Sequence, residues 1–251
     1  MATAKTQAKS QDRAKARGTA EKAQPRRRSL IVRIAVDSCL ALATLAVMAT
    51  SQVLEAPHEF LGLSLLAFMV AHTVLNRRWF TSLGKGRWTA ARVLQVIAVA
   101  GTLLCALGQA VSAITLSEHA FAFLPELPGA WWARKVHMLC SFWFFVFASA
   151  HVGLQWRSML ARMCAMRPGG LLSRPALLWI CRIFWLAVAA FGVWSFVQLG
   201  IGPYLLGQVE FAYADYDTPV ILLALRYLVV GVLIAGACHY LAAGLRRVAR
   251  H

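Results

Sequence analysis

Six long apolar runs separated by short charged connections constrain this chain more than any other feature of its sequence. They lie at about residues 30–53, 60–80, 90–116, 131–156, 177–201 and 219–245. Each is long enough to cross the bilayer as a helix, which takes about 20 residues. A backbone in lipid has to satisfy its own hydrogen bonds. The expected fold is therefore all-α, a polytopic membrane helical bundle of six transmembrane helices, with no room for a separate soluble domain. Composition agrees: 14% of residues are charged, against about a quarter in soluble domains.

The formal net charge is nonetheless +16, and its meaning depends on where the bases sit. Residues 1–28 are rich in Ala, Lys, Gln and Arg and end in Arg26, Arg27 and Arg28, which predicts a disordered basic tail. The first apolar run is longer than a signal-peptide core and contains Arg33 and Asp37, so it reads as a retained helix. With the tail inside, the inner connections hold Arg77, Arg78, Lys85, Arg87 and Arg92, then Arg157, Arg162, Arg167 and Arg174, and finally Arg246, Arg247 and Arg250. The outer ones hold Glu55, Glu59, Glu118, Glu126, Glu210, Asp215 and Asp217. This positive-inside pattern predicts that both termini are cytoplasmic and that the bases mark orientation rather than a nucleic-acid partner. Trp79, Trp88 and Trp156 fall at the inner border and Trp131 and Trp132 at the outer, as an interfacial belt requires.

Four of the seven histidines form two equal intervals. His58 and His72 belong to the second span and His137 and His151 to the fourth, each pair fourteen residues apart. Fourteen helical residues turn through about 1400°, four turns less about 40°, and rise about 21 Å. Both members of a pair therefore face one side of their helix. The two spans run in the same direction, so His58 should meet His137 near the outer face and His72 should meet His151 nearer the inner face. Histidine inside a membrane usually marks a functional site. Two b-type haems, each held by one imidazole from each helix, would use all four. A proton relay or cavity role is the alternative reading. Zinc fits less well, because it gathers three or four ligands at one point.

Other residues are consistent with haem. Arg134 and Lys135 could pair outer propionates, and Asn76 and Gln155, each four residues after an inner histidine, could hydrogen-bond inner ones. Gly62 and Gly108 could leave space for a flat macrocycle. His239 on the sixth span lacks a partner at a matching interval, and Arg182 and Arg226 lie within spans and need inward partners. The six cysteines, Cys39, Cys105, Cys140, Cys164, Cys181 and Cys238, include no pair at the spacing of a zinc, iron–sulfur or c-type haem motif.

The run His58-Glu59-Phe60-Leu61-Gly62, followed by His72 and Leu75-Asn76-Arg77-Arg78-Trp79, resembles the flavinylation-associated cytochromes, a bacterial membrane family. So do Arg92-Val93-Leu94-Gln95, Ala133-Arg134-Lys135-Val136-His137 and His151-Val152-Gly153-Leu154-Gln155-Trp156. The likeness covers about residues 55–160, and the last two spans share it loosely. Ser112-Ala113-Ile114 stands where members often show Ser-Gly-Ile, and Gln155 where they often carry a further His. The resemblance implies a haem-binding core over about residues 30–160, two non-covalent b haems and a place in the bacterial cytoplasmic membrane. It also implies electron passage to an extracytoplasmic flavoprotein, so the chain would be a component of a membrane oxidoreductase system rather than a stand-alone catalyst. It does not identify the electron donor; a quinone or a cytoplasmic reductase is a candidate partner, and no quinone pocket is legible in the sequence. The alternatives are a quinol-linked cytochrome b anchor of a dehydrogenase or hydrogenase and, from another class, a non-haem transporter or proton channel.

Overall fold

The fold is given by a computed structural model, which describes residues 29–51, 54–125, 127–166, 175–211 and 217–248, leaving out the side chains of 162–166, 175–178 and 180–182. The predicted basic tail, 1–28, lies outside the described residues. Those residues form eight helices and no strand: α1 (Ser29–Thr50), α2 (Glu55–Leu75), α3 (Arg77–Thr81), α4 (Ala90–Leu116), α5 (Ala130–Met166), α6 (Pro175–Gln198), α7 (Ile201–Leu205) and α8 (Val220–Val248). Helices α1, α2, α4, α5 and α8 are long and apolar enough to cross a membrane. The chain is thus a helical membrane protein. The expected sixth span corresponds to α6, whose described apolar stretch, Ile183–Gln198, is shorter than the other five.

The second span differs from its predicted bounds by about five residues, starting at Glu55 and ending at Leu75. Pro57 sits in the first helical turn, where the N–H it lacks has no helical partner in any case, so the helix begins before the hydrophobic run does. At the other end Asn76 stops it, its backbone N–H closing on the carbonyls of His72 and Thr73. The fourth span likewise outruns its predicted end at 156, since α5 continues to Met166.

Helix α5 is the centre of the bundle, packed closely on α4 at one side and α8 at the other, with α6 against α8. Small residues allow these approaches. A side chain at Gly153 would run into the backbone of Ala235, and one at Gly108 into Cys140. Gly108 therefore serves the α4–α5 seam rather than leaving the space expected of it. Helix α2 makes little close backbone contact with α4 or α5.

Two apolar clusters fix the arrangement. In one, Tyr204 of α7 stacks on Phe142 at 4.2 Å and joins Met48, Phe145, Tyr227 and Val230. The tight α6–α7 connection turns through Gly200 at φ 59°, a left-handed conformation that suits glycine. In the other, Leu65 and Phe144 meet Ala43 and Ala106, with Met69 and Ala148 alongside. Leu65 is seven residues from both His58 and His72, and Phe144 seven from both His137 and His151. This apolar layer separates two levels of histidine.

Candidate functional site

Helix α2 carries His58 and His72 and α5 carries His137 and His151, and because each helix is continuous between its two histidines the levels are about 21 Å apart. The structure brings His58 to His137, with ring centres 6.2 Å apart and planes at 71°. It brings His72 to His151, at 6.3 Å and 86°. An imidazole nitrogen lies about 1.1 Å from its ring centre and its bond to a transition metal is about 2.0 Å long. A single ion held in line between two imidazoles therefore sets their centres about 6.2 Å apart. Both pairs have this spacing.

The hydrogen bonds bear on the tautomer of three rings. His58 Nδ1 lies 3.2 Å from the carbonyl oxygen of Val47, which can only accept. His72 Nδ1 lies 2.7 Å from a carboxylate oxygen of Asp37. His137 Nδ1 lies 3.1 Å from Ser112 Oγ, and the same imidazole also hydrogen-bonds the backbone of Gln109; with the serine proton given to the carbonyl of Gly108 at 2.7 Å, the hydroxyl accepts from the imidazole. Each ring is thus an Nδ1–H donor that keeps a lone pair on Nε2, the state in which a metal-ligating histidine is held by its outer partner. His151 Nδ1 is buried with no hydrogen-bond partner.

Among the described residues no three His, Cys, Asp or Glu side chains converge on one point as a protein-only metal site requires. Two donors per level suit an ion that brings its remaining ligands with it, as in a macrocycle. Space exists for one. A cavity of about 530 Å³ is lined by His58, His137, Gly62, Leu65, Phe144 and Arg134, among others, a size typical of cofactor sites. Gly62 faces open space, as expected of it.

The other sequence candidates divide. Arg134 lines the cavity, its guanidinium 4.8 Å from the ring centre of Phe211. Lys135 does not line it; one residue on, about 100° around the helix, its ammonium meets Glu210 at 3.4 Å. Asn76 spends its amide locally: Oδ1 accepts from Arg33 at 2.8 Å, and Nδ2 donates to the carbonyl of His72 at 2.8 Å and lies 3.4 Å from His72 Nε2. Gln155 Oε1 accepts from Ser158 at 2.9 Å. His239 Nδ1 is buried without a partner, and Arg226 lies 5.4 Å from the centre of the Trp194 ring. The Arg182 side chain is outside the described residues.

Three supporting residues were not singled out by sequence. Asp37 and Ser112 orient histidines. Glu59 ties the α4–α5 connection to α2, accepting from the Ser117 hydroxyl at 2.6 Å and from the N–H groups of Glu118, His119 and Ala120 at 3.0, 3.2 and 2.8 Å. An acid inside an apolar run was the available signal for Asp37; nothing in the sequence pairs Ser112 with His137. No protein-family model matches the chain, and comparison with curated proteins and with solved structures gives no match.

Proposed function

We propose that this protein is a transmembrane electron-transfer cytochrome that holds two b-type haems, one between His58 and His137 and one between His72 and His151. The observation that carries this reading is the spacing of the two imidazole pairs, 6.2 and 6.3 Å between ring centres. It is the spacing of axial ligands, and it recurs at two levels on the same two helices. Haem supplies a reversible one-electron couple whose iron accepts two axial nitrogens.

The chain's own residues bind, orient and insulate. Val47, Asp37 and Ser112 hold three imidazoles by Nδ1, leaving Nε2 for the metal. Arg134, on the wall of the cavity, offers a guanidinium to an acidic edge of the bound group. Leu65 and Phe144, 6% and 5% exposed, place apolar side chains between the levels.

In this reading α6 completes six crossings. Both chain ends lie on the cytoplasmic side of a bacterial inner membrane, because the connections around Arg77, Lys85 and Arg92 and the end at Arg246 and Arg247 carry the bases. Electrons cross to an extracytoplasmic partner, and the resemblance noted above points to one with covalently attached flavin.

The test is the purified protein in detergent. Pyridine haemochrome should give two haems per chain, and reduced-minus-oxidised spectra should show low-spin b bands. One haem per fully loaded chain, or none, overturns the two-site reading.

A further inference from the structure

The two histidine levels are built alike in geometry but not in electrostatics. Of the three imidazoles with an outer partner, His58 gives its Nδ1–H to a peptide carbonyl and His137 to a hydroxyl, both neutral. His72 gives its proton to the carboxylate of Asp37, and at 2.7 Å this is the shortest of the three contacts. Asp37 comes from α1, in the middle of an apolar run. An acid there is costly and needs a reason.

We propose that Asp37 lowers the reduction potential of the His72–His151 centre below that of the His58–His137 centre, so that electrons enter at the His72 level and leave at the His58 level. This rests on the bis-histidine haem reading above. A hydrogen bond to an ionised acceptor is roughly twice as strong as one to a neutral group. It draws the Nδ1 proton away from the ring, enriches Nε2 in electrons and favours the more positively charged, oxidised iron. The carboxylate's own charge acts in the same direction. In the transfer the lower centre loses one electron and the upper gains one, and no bond or proton changes place.

The asymmetry lies in the direct hydrogen bonds rather than in the sum of nearby charges. Near Asp37, Arg33 keeps its positive charge but gives its hydrogen bond to Asn76 at 2.8 Å, so it leaves the Asp37–His72 contact in place. At the other level Glu55, Glu59, Glu118, Glu210 and Arg134 line the cavity. Glu59 acts on His58 through space, but the hydrogen-bond partners of His58 and His137 are the neutral groups named above. Glu59 is tied up by Ser117 and the backbone of the α4–α5 connection, and Glu210 lies against Lys135.

The experiment is an anaerobic, dye-mediated redox titration of the full chain loaded with haem, followed at the low-spin b bands. Wild type should resolve two midpoints, and His151→Ala should remove the lower one. Asp37→Asn, which keeps the shape and an acceptor oxygen but removes the charge, should raise the lower midpoint by about tenfold in the reduction equilibrium, about 59 mV for one electron. The upper midpoint should stay where it was. Should Asp37→Asn load only one haem, Asp37→Glu is titrated instead and should retain both haems with the lower midpoint still below the upper.

Coincident wild-type midpoints, survival of the lower one in His151→Ala, an unmoved lower midpoint in Asp37→Asn, or loss of the same haem from both Asp37 variants overturns the proposal. A wild-type protein without haem overturns the underlying reading instead, so the two failures are told apart before any variant is made.

Discussion

Ser112 and His137 are joined across the α4–α5 seam by a 3.1 Å contact in which the serine, its proton given to Gly108, accepts from the imidazole. The hydroxyl thereby helps to hold the imidazole opposite His58. Ser112→Ala removes one partner of that imidazole and leaves it the backbone of Gln109, a loss of about 1 kcal/mol, equivalent to roughly fivefold weaker haem retention at that level. Haem-transfer kinetics to an apo-acceptor protein should show one fast and one unchanged component.

Ligand substitutions should follow the pairing. His58→Ala and His137→Ala are each expected to remove or convert the same spectral component, and the double variant should add little, because two ligands on one iron fail together. Combining His137→Ala with His151→Ala should abolish both components. If His58→Ala and His137→Ala deplete different components, the ligand set is wrong, and His239 is the first residue to reconsider.

Two glycines should respond in opposite ways. Gly153 abuts the backbone of Ala235, so Gly153→Val is expected to push α5 from α8 and cost about 1–3 kcal/mol or more. A lowered Tm and poor recovery from the membrane would report it. Gly62 meets nothing. Gly62→Phe should leave Tm of the apoprotein within a few degrees while filling the cavity, and haem content should fall from two to one.

Glu59 anchors the connection between α4 and α5 through three peptide N–H groups and a hydroxyl. Glu59→Ala removes the acceptor for all of them. Since hydrogen bonds to a charged group contribute about 1.5–3 kcal/mol, a loss of about 2–3 kcal/mol is expected, seen as faster proteolysis at 117–124 with the inner haem retained.

Orientation is checked by cysteine labelling in a Cys-free background. Leu124→Cys should react with a membrane-impermeant maleimide from outside the cell, and Lys85→Cys only after the membrane is opened. Labelling of both from the same side would break the parallel run of α2 and α5 on which the pairing depends.

The helical membrane fold and the meeting of His58 with His137 and of His72 with His151 were legible because both follow from apolar run length and periodicity. The fourteen-residue intervals on α2 and α5 needed only the helical repeat. What stayed hidden is what depends on rotation and lateral neighbours. Nothing in spacing tells that Lys135 turns to Glu210 while Arg134 stays on the cavity, or that Asn76 is consumed by Arg33 and its own helix. Gly62 and Gly108 look equivalent in sequence and differ because one helix stands off and the other packs tightly. Asp37 was visible as an acid in an apolar run, but its partner lies thirty-five residues away on another helix.

The layer at Leu65 and Phe144 makes the bundle, in the reading above, a conductor of electrons rather than of ions. With apolar side chains between the levels, each electron that moves about 21 Å leaves its counter-ion behind. That distance is about two-thirds of a hydrocarbon core of roughly 30 Å. At about 2.3 kcal/mol per charge per 100 mV, the transfer would then carry roughly 1.5 kcal/mol of electrical work. A membrane negative inside drives electrons outward, so the turnover of such a protein would rise when the cell is energised and each turnover would discharge the potential that speeds it.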